Sequence, residues 1–439
     1  MTAMHIISGF SKLSRTGKLK WLKDQASLSE QSLLMIHAHL HPDPPVQEMY
    51  DDISENTISN FFLPLGLAPN FLINGDLMTI PMVTEESSVV AAASHAAKFW
   101  AMNGGFHCEV KNVLKTGQVH FSWSGSQQEL FSLFEKGKKS LLQSVSPFTA
   151  SMEKRGGGIE SMELRKTGDV LPECYQLFVT FRTADAMGAN FINSVLEALA
   201  ASFVNLLKSS GGKGEIIMAI LSNYTPECLV TCSVEADLGA LEQLSGGMTG
   251  AAFAEKFTRA VEIAIQDPYR AVTHNKGIFN GMDAVIVATG NDYRAAEACG
   301  HAYASREGRY CSLSRATCTG GRFSLSLEVP LALGTIGGLT ATHPLAAASL
   351  EILGHPSSEK LMQIVAAAGL ASNFSAIRSL ITTGIQKGHM KMHLGNILRQ
   401  LNASPEETSL AKAHFKQRTV SHAEVSAFIA SVRNKPNHP

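Results

Sequence analysis

Ionisable residues in otherwise uncharged surroundings are the strongest candidates for chemistry in this chain. Lys276 and Asp292 lie in the run THNKGIFNGMDAVIVATGND, where only Asp283 adds another charge. A lysine and a carboxylate among small and apolar residues lose hydration energy unless they pair, and a paired ammonium can stabilise charge that develops on a substrate oxygen. Glu86 in TEESSVVAAAS and His389 in GIQKGHM have similar settings. The alternative interpretation of the first pair is an internal salt bridge.

These residue types suit acid–base and electrostatic chemistry at a carbonyl group. Lys276 is the best candidate to stabilise an oxyanion, with Asp292 as the partner that keeps it charged and oriented. A carboxyl beside alanine-rich packing, such as that of Glu86, can have a raised pKa and donate a proton. The imidazole of His389 would titrate near neutral pH. Simpler interpretations stay open, because a glutamate here could cap a helix and His393 is a close competitor of His389.

Candidate binding residues are less distinctive by type alone. Arg270 could bind a carboxylate through two parallel hydrogen bonds, or it could be an ordinary helix-end arginine after Asp267-Pro268. No GxGxxG follows a strand, so a standard dinucleotide fold is not expected. Residues 185–190 (DAMGAN) instead follow a predicted strand and open a predicted helix, where free N–H groups attract phosphate. We expect Asp185 to cap this helix rather than to touch phosphate.

Composition excludes several classes of protein. The chain has 439 residues, of which 45% are hydrophobic and 17% charged, with a formal net charge of −1. These values predict large buried cores and give no basic field for a nucleic-acid partner. No uninterrupted apolar run of about 18 residues occurs, so no membrane span is expected. Seven cysteines without CxxC spacing are interpreted as reduced thiols of a cytoplasmic protein, and no metal site is predicted.

Periodicity and turn signals predict an α+β protein with an inserted domain. Residues 110–222 follow the order β-α-β-β-α-β, which is the ferredoxin-like plan. This small domain interrupts a larger, mainly helical one at 1–109 and 223–379. Residues 380–439 form a polar tail with little core of its own and two short helices, of which the first opens at Ser404 and the second spans 421–432. Asn74-Gly75 predicts a hairpin turn. Helices are predicted at 28–50, 86–102, 249–266 and 345–378, and the prolines Pro42, Pro44 and Pro45 end the first of them. A hairpin strand is predicted at 320–329.

Several sequence segments together resemble a known family. They are ENTISNFFLPLGLAPNFLING, TEESSVVAAAS, TADAMGAN, DPYRAVTHNKG, ATGND, GTIGG with ATHP, and GIQKGHM, and they keep the family's order over nearly the whole chain. The chain resembles the class II 3-hydroxy-3-methylglutaryl-coenzyme A (HMG-CoA) reductases. The resemblance implies reduction of HMG-CoA to mevalonate and coenzyme A by two hydrides from NADPH or NADH, and a large substrate domain, a small cofactor domain and a C-terminal flap.

The resemblance also implies roles for individual residues. Lys276 would stabilise oxyanions, and Glu86 would donate a proton. Asp292 would tune the Lys276–Glu86 network, and His389 on the flap would protonate the departing coenzyme A thiolate. The active site of the family forms across a dimer interface, so at least a homodimer is expected. The remaining matches are the cofactor-binding residues Asp185, Met187, Gly188, Ala189 and Asn190, and the substrate-binding residues Ser88, Asn223, Arg270 and Asn280.

Some positions depart from the family pattern. Ser59 stands where a glycine is common near the dimer interface, and Lys12 is the charged candidate for a coenzyme A contact near the N-terminus. Some members of the family favour NAD through an acidic residue upstream of a glycine triplet, which is Gly156–Gly158 in this chain. The only carboxylate in the preceding segment here, that of Glu153, lies closer to the triplet. Lys154 and Arg155 could instead bind a 2′-phosphate, which favours NADPH weakly. The alternatives are mevalonate oxidation with NAD, and a non-catalytic acyl-coenzyme A-binding protein on the same scaffold.

Overall fold

A computed structural model describes residues 6–26, 28–168, 171, 173–209, 211, 213–382, 384, 394–415, 418 and 420–434. The predictions for His389 and for its neighbour His393 lie outside the described residues.

Helices predominate in the described residues, and ten strands form three sheets. The helices are α1 Arg15–Ala26, α2 Glu30–Ala38, α3 Pro44–Ile53, α4 Val89–Ala101, α5 Gln127–Ser144, α6 Ser146–Glu153, α7 Ala189–Ser209, α8 Leu238–Leu241, α9 Gly250–Gln266, α10 Pro268–Ala288, α11 Tyr293–Ala304, α12 Leu339–Thr342, α13 Pro344–Ile352, α14 Ser358–Ile381, α15 394–400, α16 Pro405–His414 and α17 His422–Arg433. The strands are β1 Leu65–Ile73, β2 Asp76–Val83, β3 His107–Val110, β4 Lys115–Trp123, β5 Gly158–Lys166, β6 Cys174–Arg182, β7 Gly214–Ser222, β8 Leu229–Asp237, β9 Ser314–Thr319 and β10 Arg322–Pro330.

The larger core is built around α14. Its apolar residues are buried on all sides between the antiparallel sheet β3-β8-β10-β9, the helices α4, α9 and α10, and the hairpin β1-β2. Helices α10 and α14 approach closely at Gly281, because a Cβ atom there would lie 2.3 Å from the carbonyl oxygen of Ala368. This contact fixes the position of α10, the helix that carries Lys276.

The second core confirms the predicted ferredoxin-like arrangement. Its antiparallel sheet has the order β5-β6-β4-β7, and α5 and α7 cover the face that carries Val119, Phe121, Leu177 and Val179. The chain passes between the two cores twice, from β3 to β4 and from β7 to β8. Both passages fall near the predicted limits, and the domain boundaries at residues 110, 223 and 380 stay a prediction.

Two predicted helices are each divided in the structure. The helix predicted over 28–50 is α2 followed by α3, and Pro44 and Pro45 begin α3 instead of ending a helix. Proline is tolerated in the first helical turn because the N–H group that it lacks has no intrahelical acceptor there. The helix predicted over 345–378 is α13 followed by α14, because Gly354 and His355 turn the chain with positive φ angles of 76° and 52°.

The hairpin turn and the tail helices have the predicted starts. Asn74 and Gly75 both have positive φ angles, as a two-residue hairpin turn requires. Ser404 and Glu407 cap α16 reciprocally. The tail was predicted to have little core of its own, and this was wrong in part, because a separate cluster buries Leu394, Ile397, Leu398, Ala411, Phe415, Val425 and Ile429.

Two helices, α7 and α14, are long and apolar enough to cross a membrane by length and composition alone. In α14, 78% of the most apolar window is buried inside the protein. Helix α7 packs its apolar face on the small-domain sheet, with Val195, Leu199 and Phe203 fully buried. Helix α14 is thus a core helix of this fold, whereas 39% of the most apolar window of α7 is buried, on the face that packs against the sheet.

Candidate active site

One face of α10 forms a wall of the main candidate cavity. Asp267 caps the helix and Pro268 begins it. Arg270, Thr273, Gly277 and Asn280 are spaced three or four residues apart, so they share one face. They line a cavity of about 300 Å³ between α10, α14 and the start of α4, which we call the α10 cavity. Predicted site residues Arg270, Lys276, Asn280, Glu86 and Ser88 all border it.

The start of α4 forms the opposite wall. Ser88, the N-cap residue, has a φ angle of 77°, which is the left-handed conformation that side-chain-bearing residues rarely adopt. Such backbone strain costs about 1–3 kcal/mol and is concentrated at functional sites. The hydroxyl of Ser88 makes no capping hydrogen bond to α4. The side chain is therefore free to contact a ligand in the cavity.

Lys276 pairs with Glu86 at the edge of the α10 cavity. The Nζ atom of Lys276 donates a hydrogen bond to Oε2 of Glu86. Their side chains are 59% and 38% exposed, and ion pairs with this exposure add little to stability. Glu86 does not cap α4, so that simpler interpretation is wrong. The Lys276–Glu86 ion pair is also too exposed to be a salt bridge of the protein interior. Its position at the edge of a cavity suits a catalytic role better than a role in folding.

Asp292 does not pair with Lys276 within one chain, so that part of the prediction is corrected. Its carboxylate caps α11, accepting the N–H groups of Arg294 at 3.0 Å and Ala295 at 3.1 Å, and it also contacts the Arg294 guanidinium at 3.4 Å. Helix α10 continues for twelve residues after Lys276 before it ends. At 1.5 Å per residue, the end of α10, beyond which Asp292 follows, lies about 18 Å along the helix from Lys276.

Arg270 is a cation without an acceptor in the described part of the chain. It makes neither a hydrogen bond nor an ion pair with another described residue, although it borders the α10 cavity. Partial burial lowers the pKa of its guanidinium. A half-buried guanidinium with all its donors unused is well suited to bind the carboxylate of a ligand.

Two titratable residues beside the site were missed by sequence reasoning. Burial, followed by the charge of Arg270, lowers the pKa of His274 to about 3, so this imidazole is neutral. Burial, with Glu297 next in importance, raises the pKa of Asp283 to about 8. Asp283 follows Lys276 by seven residues, which is two helical turns, and this spacing is the signal that could have placed it on the same side of α10.

The predicted cofactor segment forms a tight turn between β6 and α7. Gly188 has a φ angle of 90°, and a Cβ atom there would lie 2.5 Å from the methyl group of Thr183. The backbone N–H groups at the start of α7 are thereby left accessible, as a phosphate site requires. Asp185 was expected to cap α7, which was wrong, because its Oδ1 atom accepts the N–H of Ser358 at 2.8 Å at the start of α14.

A second loop connects this cofactor segment to Asp292. Gly334 packs on it so closely that a Cβ atom would lie 2.3 Å from the nitrogen of Met187. Asn291, the neighbour of Asp292, binds both the N–H (2.8 Å) and the carbonyl (2.9 Å) of Gly334. Asp292 is therefore attached to the cofactor side of its own chain, away from Lys276.

Other predicted residues lie outside the α10 cavity. Asn223 borders a cavity of about 20 Å³ with Met187, Ala189 and Lys115, so it lies on the cofactor side. Lys154 and Arg155 are exposed at the end of α6. They precede Gly158, which pairs with Arg182 just before the cofactor turn. Lys12 is exposed at the end of a 3₁₀ turn and does not border the cavity.

Comparison with known proteins decides the family. A family model described as hydroxymethylglutaryl-coenzyme A reductase matches residues 15–394. The chain belongs to the HMG-CoA reductase family. An HMG-CoA reductase from Archaeoglobus fulgidus is 36% identical over 404 residues, which are 91% of this chain and 88% of that protein. A probable HMG-CoA reductase from Borreliella burgdorferi is 32% identical, over 90% and 89%.

Solved structures of HMG-CoA reductases share the fold. A class II HMG-CoA reductase from Streptococcus pneumoniae, bound to NADPH in open conformations, has a TM-score of 0.72 and 39% identity over 86% of this chain and 100% of that one. Another structure of the Streptococcus pneumoniae reductase has a TM-score of 0.72 and 37% identity over 97% and 100%. The predicted α+β fold and the predicted class, a nicotinamide-dependent oxidoreductase that acts on HMG-CoA, are confirmed.

Proposed function

We propose that this HMG-CoA reductase carries out its reaction in the α10 cavity, with Lys276 and Glu86 at the reacting carbonyl. The observation that carries the proposal is that one cavity holds a paired ammonium and, on the same helix, an arginine that has no acceptor among the described residues. These are the two positive groups that a substrate with a reducible thioester and a free carboxylate would need. The reaction proposed is the conversion of HMG-CoA to mevalonate and coenzyme A.

Lys276 would act at both reduction steps. Hydride addition to the thioester carbon converts its C=O group to an oxyanion, which the Lys276 ammonium stabilises as a hemithioacetal forms. Breaking the C–S bond then releases the coenzyme A thiolate and leaves an aldehyde. The second hydride makes a new oxyanion at the same carbon, and Glu86, in contact with Lys276, is placed to pass a proton to the oxygen. Two molecules of reduced dinucleotide, bound one after the other, would each supply one hydride.

The substrate carboxylate would bind at the far end of the same helical face. Arg270 offers two parallel N–H groups, and Ser88 and Asn280 border the same cavity with uncharged hydrogen-bonding groups. Arg270 lies six residues before Lys276, about 9 Å along α10. This spacing suits a short branched acid that reaches from the guanidinium to the ammonium.

We propose that the working form is at least a homodimer, in which Asp292 of one copy approaches Lys276 of the other. Within one chain, Asp292 caps α11 beyond the end of α10, which lies about 18 Å along the helix from Lys276. The segment before β1 supports an interface, because Phe61, Phe62 and Leu63 are 91%, 51% and 41% exposed. Exposed apolar residues in sequence are typical of protein–protein contact surfaces.

NADPH is the proposed hydride donor, bound at the start of α7 by Met187, Gly188, Ala189 and Asn190. The segment suits a phosphate group, because Gly188 permits the tight turn against Thr183 that precedes the N–H groups at the start of α7. The adjacent basic residues Lys154 and Arg155 are exposed just before β5. The start of β5 pairs with the end of β6, so they lie at the same end of the sheet as the cofactor turn and would contact a 2′-phosphate. A relative from Streptococcus pneumoniae binds NADPH, which supports the choice.

Three further proposals rest on the family resemblance. His389 would protonate the departing thiolate, and Lys12 would contact coenzyme A. The protein would work in the cytoplasm, which its seven free thiols suit, because a reducing compartment keeps thiols unpaired. A purely binding role for the scaffold would leave the Lys276–Glu86 pair without a task.

The test follows absorbance at about 340 nm, where reduced nicotinamide absorbs, with HMG-CoA and either NADPH or NADH. Lys276→Met should lower kcat by about 10³-fold, equivalent to about 4 kcal/mol of lost oxyanion stabilisation, while NADPH still binds. Lys98→Met, an exposed lysine at the other end of α4, is the matched control and should keep wild-type activity. Wild-type kcat in Lys276→Met would refute the assigned role.

The shared site has its own test. Lys276→Met and Asp292→Asn chains should each be inactive alone. Mixed dimers would contain one site with both wild-type groups, so activity should return to at most half of the wild-type value. Mixed dimers that form but stay inactive would exclude the proposed exchange of Asp292 between copies.

A further inference from the structure

Lys115 is a buried lysine at the passage between the two cores. It is the first residue of β4 and is 4% exposed. The next residue, Thr116, donates a hydrogen bond at 3.0 Å to the carbonyl of Tyr224, on the second passage. Lys115 therefore lies where both connecting segments meet, and it borders the cavity of about 20 Å³ beside Met187 and Asn223.

The ammonium of Lys115 holds the cofactor turn. It donates hydrogen bonds to the hydroxyl of Thr183 and, at 3.0 Å, to the carbonyl of Ala186. The hydroxyl of Thr183 donates to the same carbonyl at 2.7 Å, and Ala184 between them has a positive φ angle of 47°. Lys115, Thr183 and Ala186 thus close a small hydrogen-bonded ring at the base of the turn.

The turn is tied to the large core by other groups. Thr335 donates its N–H to the carbonyl of Asp185 at 2.8 Å, and Ser358 donates its hydroxyl to the carbonyl of Ala184 at 3.1 Å. Lys115 adds a tie from β4, the strand that enters the small domain. The shape of residues 183–188 therefore depends on Lys115 from one side and on the large core from the other.

Folding alone gives little reason for a lysine at this position. Among the residues that the structure describes, no carboxylate lies within ion-pair distance of its ammonium, and burial lowers the pKa of Lys115. A buried cation without a paired anion is unfavourable, and apolar residues of similar size often replace such groups without loss of stability. The cofactor turn beside it, at the start of α7, is by contrast suited to a negatively charged ligand.

We propose that Lys115 is a positioning residue for the nicotinamide dinucleotide: it fixes the 183–188 turn so that the N–H groups at the start of α7 face the phosphates, and it adds positive charge behind them. This inference rests on the proposed dinucleotide site. Lys115 does not border the α10 cavity, so its removal acts on dinucleotide binding and leaves HMG-CoA binding unchanged.

The experiment measures binding and stability separately in the full-length protein. Lys115→Met keeps the length of the side chain and removes its charge and donors. Titration with NADPH, and with NADH, followed by nicotinamide fluorescence gives Kd without any thioester present. We expect Kd to rise at least tenfold, KM for HMG-CoA to stay within twofold, and the thermal midpoint not to fall. Lys111→Met, on the same passage but exposed and paired with Glu109, should match the wild-type protein.

Thr183→Val is the second variant, because it removes the hydroxyl from the ring while keeping the buried shape. It should raise the Kd for NADPH about threefold or more, and it decides the case if Lys115→Met does not fold. A Kd within twofold of wild type in either folded variant, or a lower thermal midpoint with unchanged Kd, would overturn the proposal. Wild-type protein that binds neither dinucleotide would instead contradict the proposed cofactor site, so the two failures are distinguishable.

Discussion

Replacing Arg270 tests how the α10 cavity recognises its substrate. The guanidinium is half-buried and has no acceptor in the described part of the protein, so Arg270→Met breaks no hydrogen bond or ion pair between described residues of the free enzyme. In the complex, two charge-assisted hydrogen bonds to the substrate carboxylate would be lost. Each contributes about 1.5–3 kcal/mol, so the expected loss for the two together is about 3–6 kcal/mol.

The loss should affect HMG-CoA and leave the dinucleotide unaffected. Because about 1.4 kcal/mol corresponds to a factor of ten, kcat/KM for HMG-CoA should fall by about 10²- to 10⁴-fold, while KM for NADPH stays within twofold. Arg270→Lys keeps the charge but not the fork of two donors, so its defect should be about tenfold. The assay is the initial rate of NADPH oxidation over a range of HMG-CoA concentrations.

The control and the thermal midpoint make the test decisive. Arg259→Met removes an exposed arginine, whose ion-pair partner among the described residues is Glu255 on α9, and should leave kcat/KM unchanged. Arg270→Met should not lower the thermal midpoint, because a half-buried cation without a partner does not stabilise the free protein. A kcat/KM for HMG-CoA within threefold of wild type in Arg270→Met would refute the assignment of the carboxylate site.

Three other changes have predicted outcomes. Burial raises the pKa of Asp283 to about 8 from 3.8. Its contribution to stability is therefore present below about pH 4 and is lost as the pH rises through about 8, at up to ~1.4 kcal/mol per pH unit. Asp283→Asn should flatten the change in denaturation midpoint between pH 6 and 8, and a midpoint that changes with pH as steeply as in the wild-type protein would contradict this. Gly281→Ala places a methyl group 2.3 Å from the carbonyl of Ala368 and should destabilise the protein by about 1–3 kcal/mol in urea unfolding; a neutral effect would mean that α10 and α14 can separate. The double change of Lys154 and Arg155 to alanine should raise KM for NADPH but not for NADH, and an equal effect on both would exclude a 2′-phosphate contact.

Local signals in the sequence predicted the elements well. The alternation and capping residues around 110–222 predicted a ferredoxin-like order that the β5-β6-β4-β7 sheet confirms. Asn74-Gly75 and Ser404 act within a few residues, so their effects can be predicted from neighbours alone. The prolines at 44 and 45 were misinterpreted, because a proline ends one helix or begins another according to where the preceding chain turns.

The order of motifs along the chain, read without coordinates, indicated the family and the residue types of the site. Only the tertiary structure decided which of these groups meet. It paired Lys276 with Glu86, which is 190 residues away, attached Asp292 to the cofactor side through Asn291 and Gly334, and buried Lys115 against Thr183. Contacts between distant segments depend on how whole helices and sheets pack, and no local pattern of residues encodes that packing.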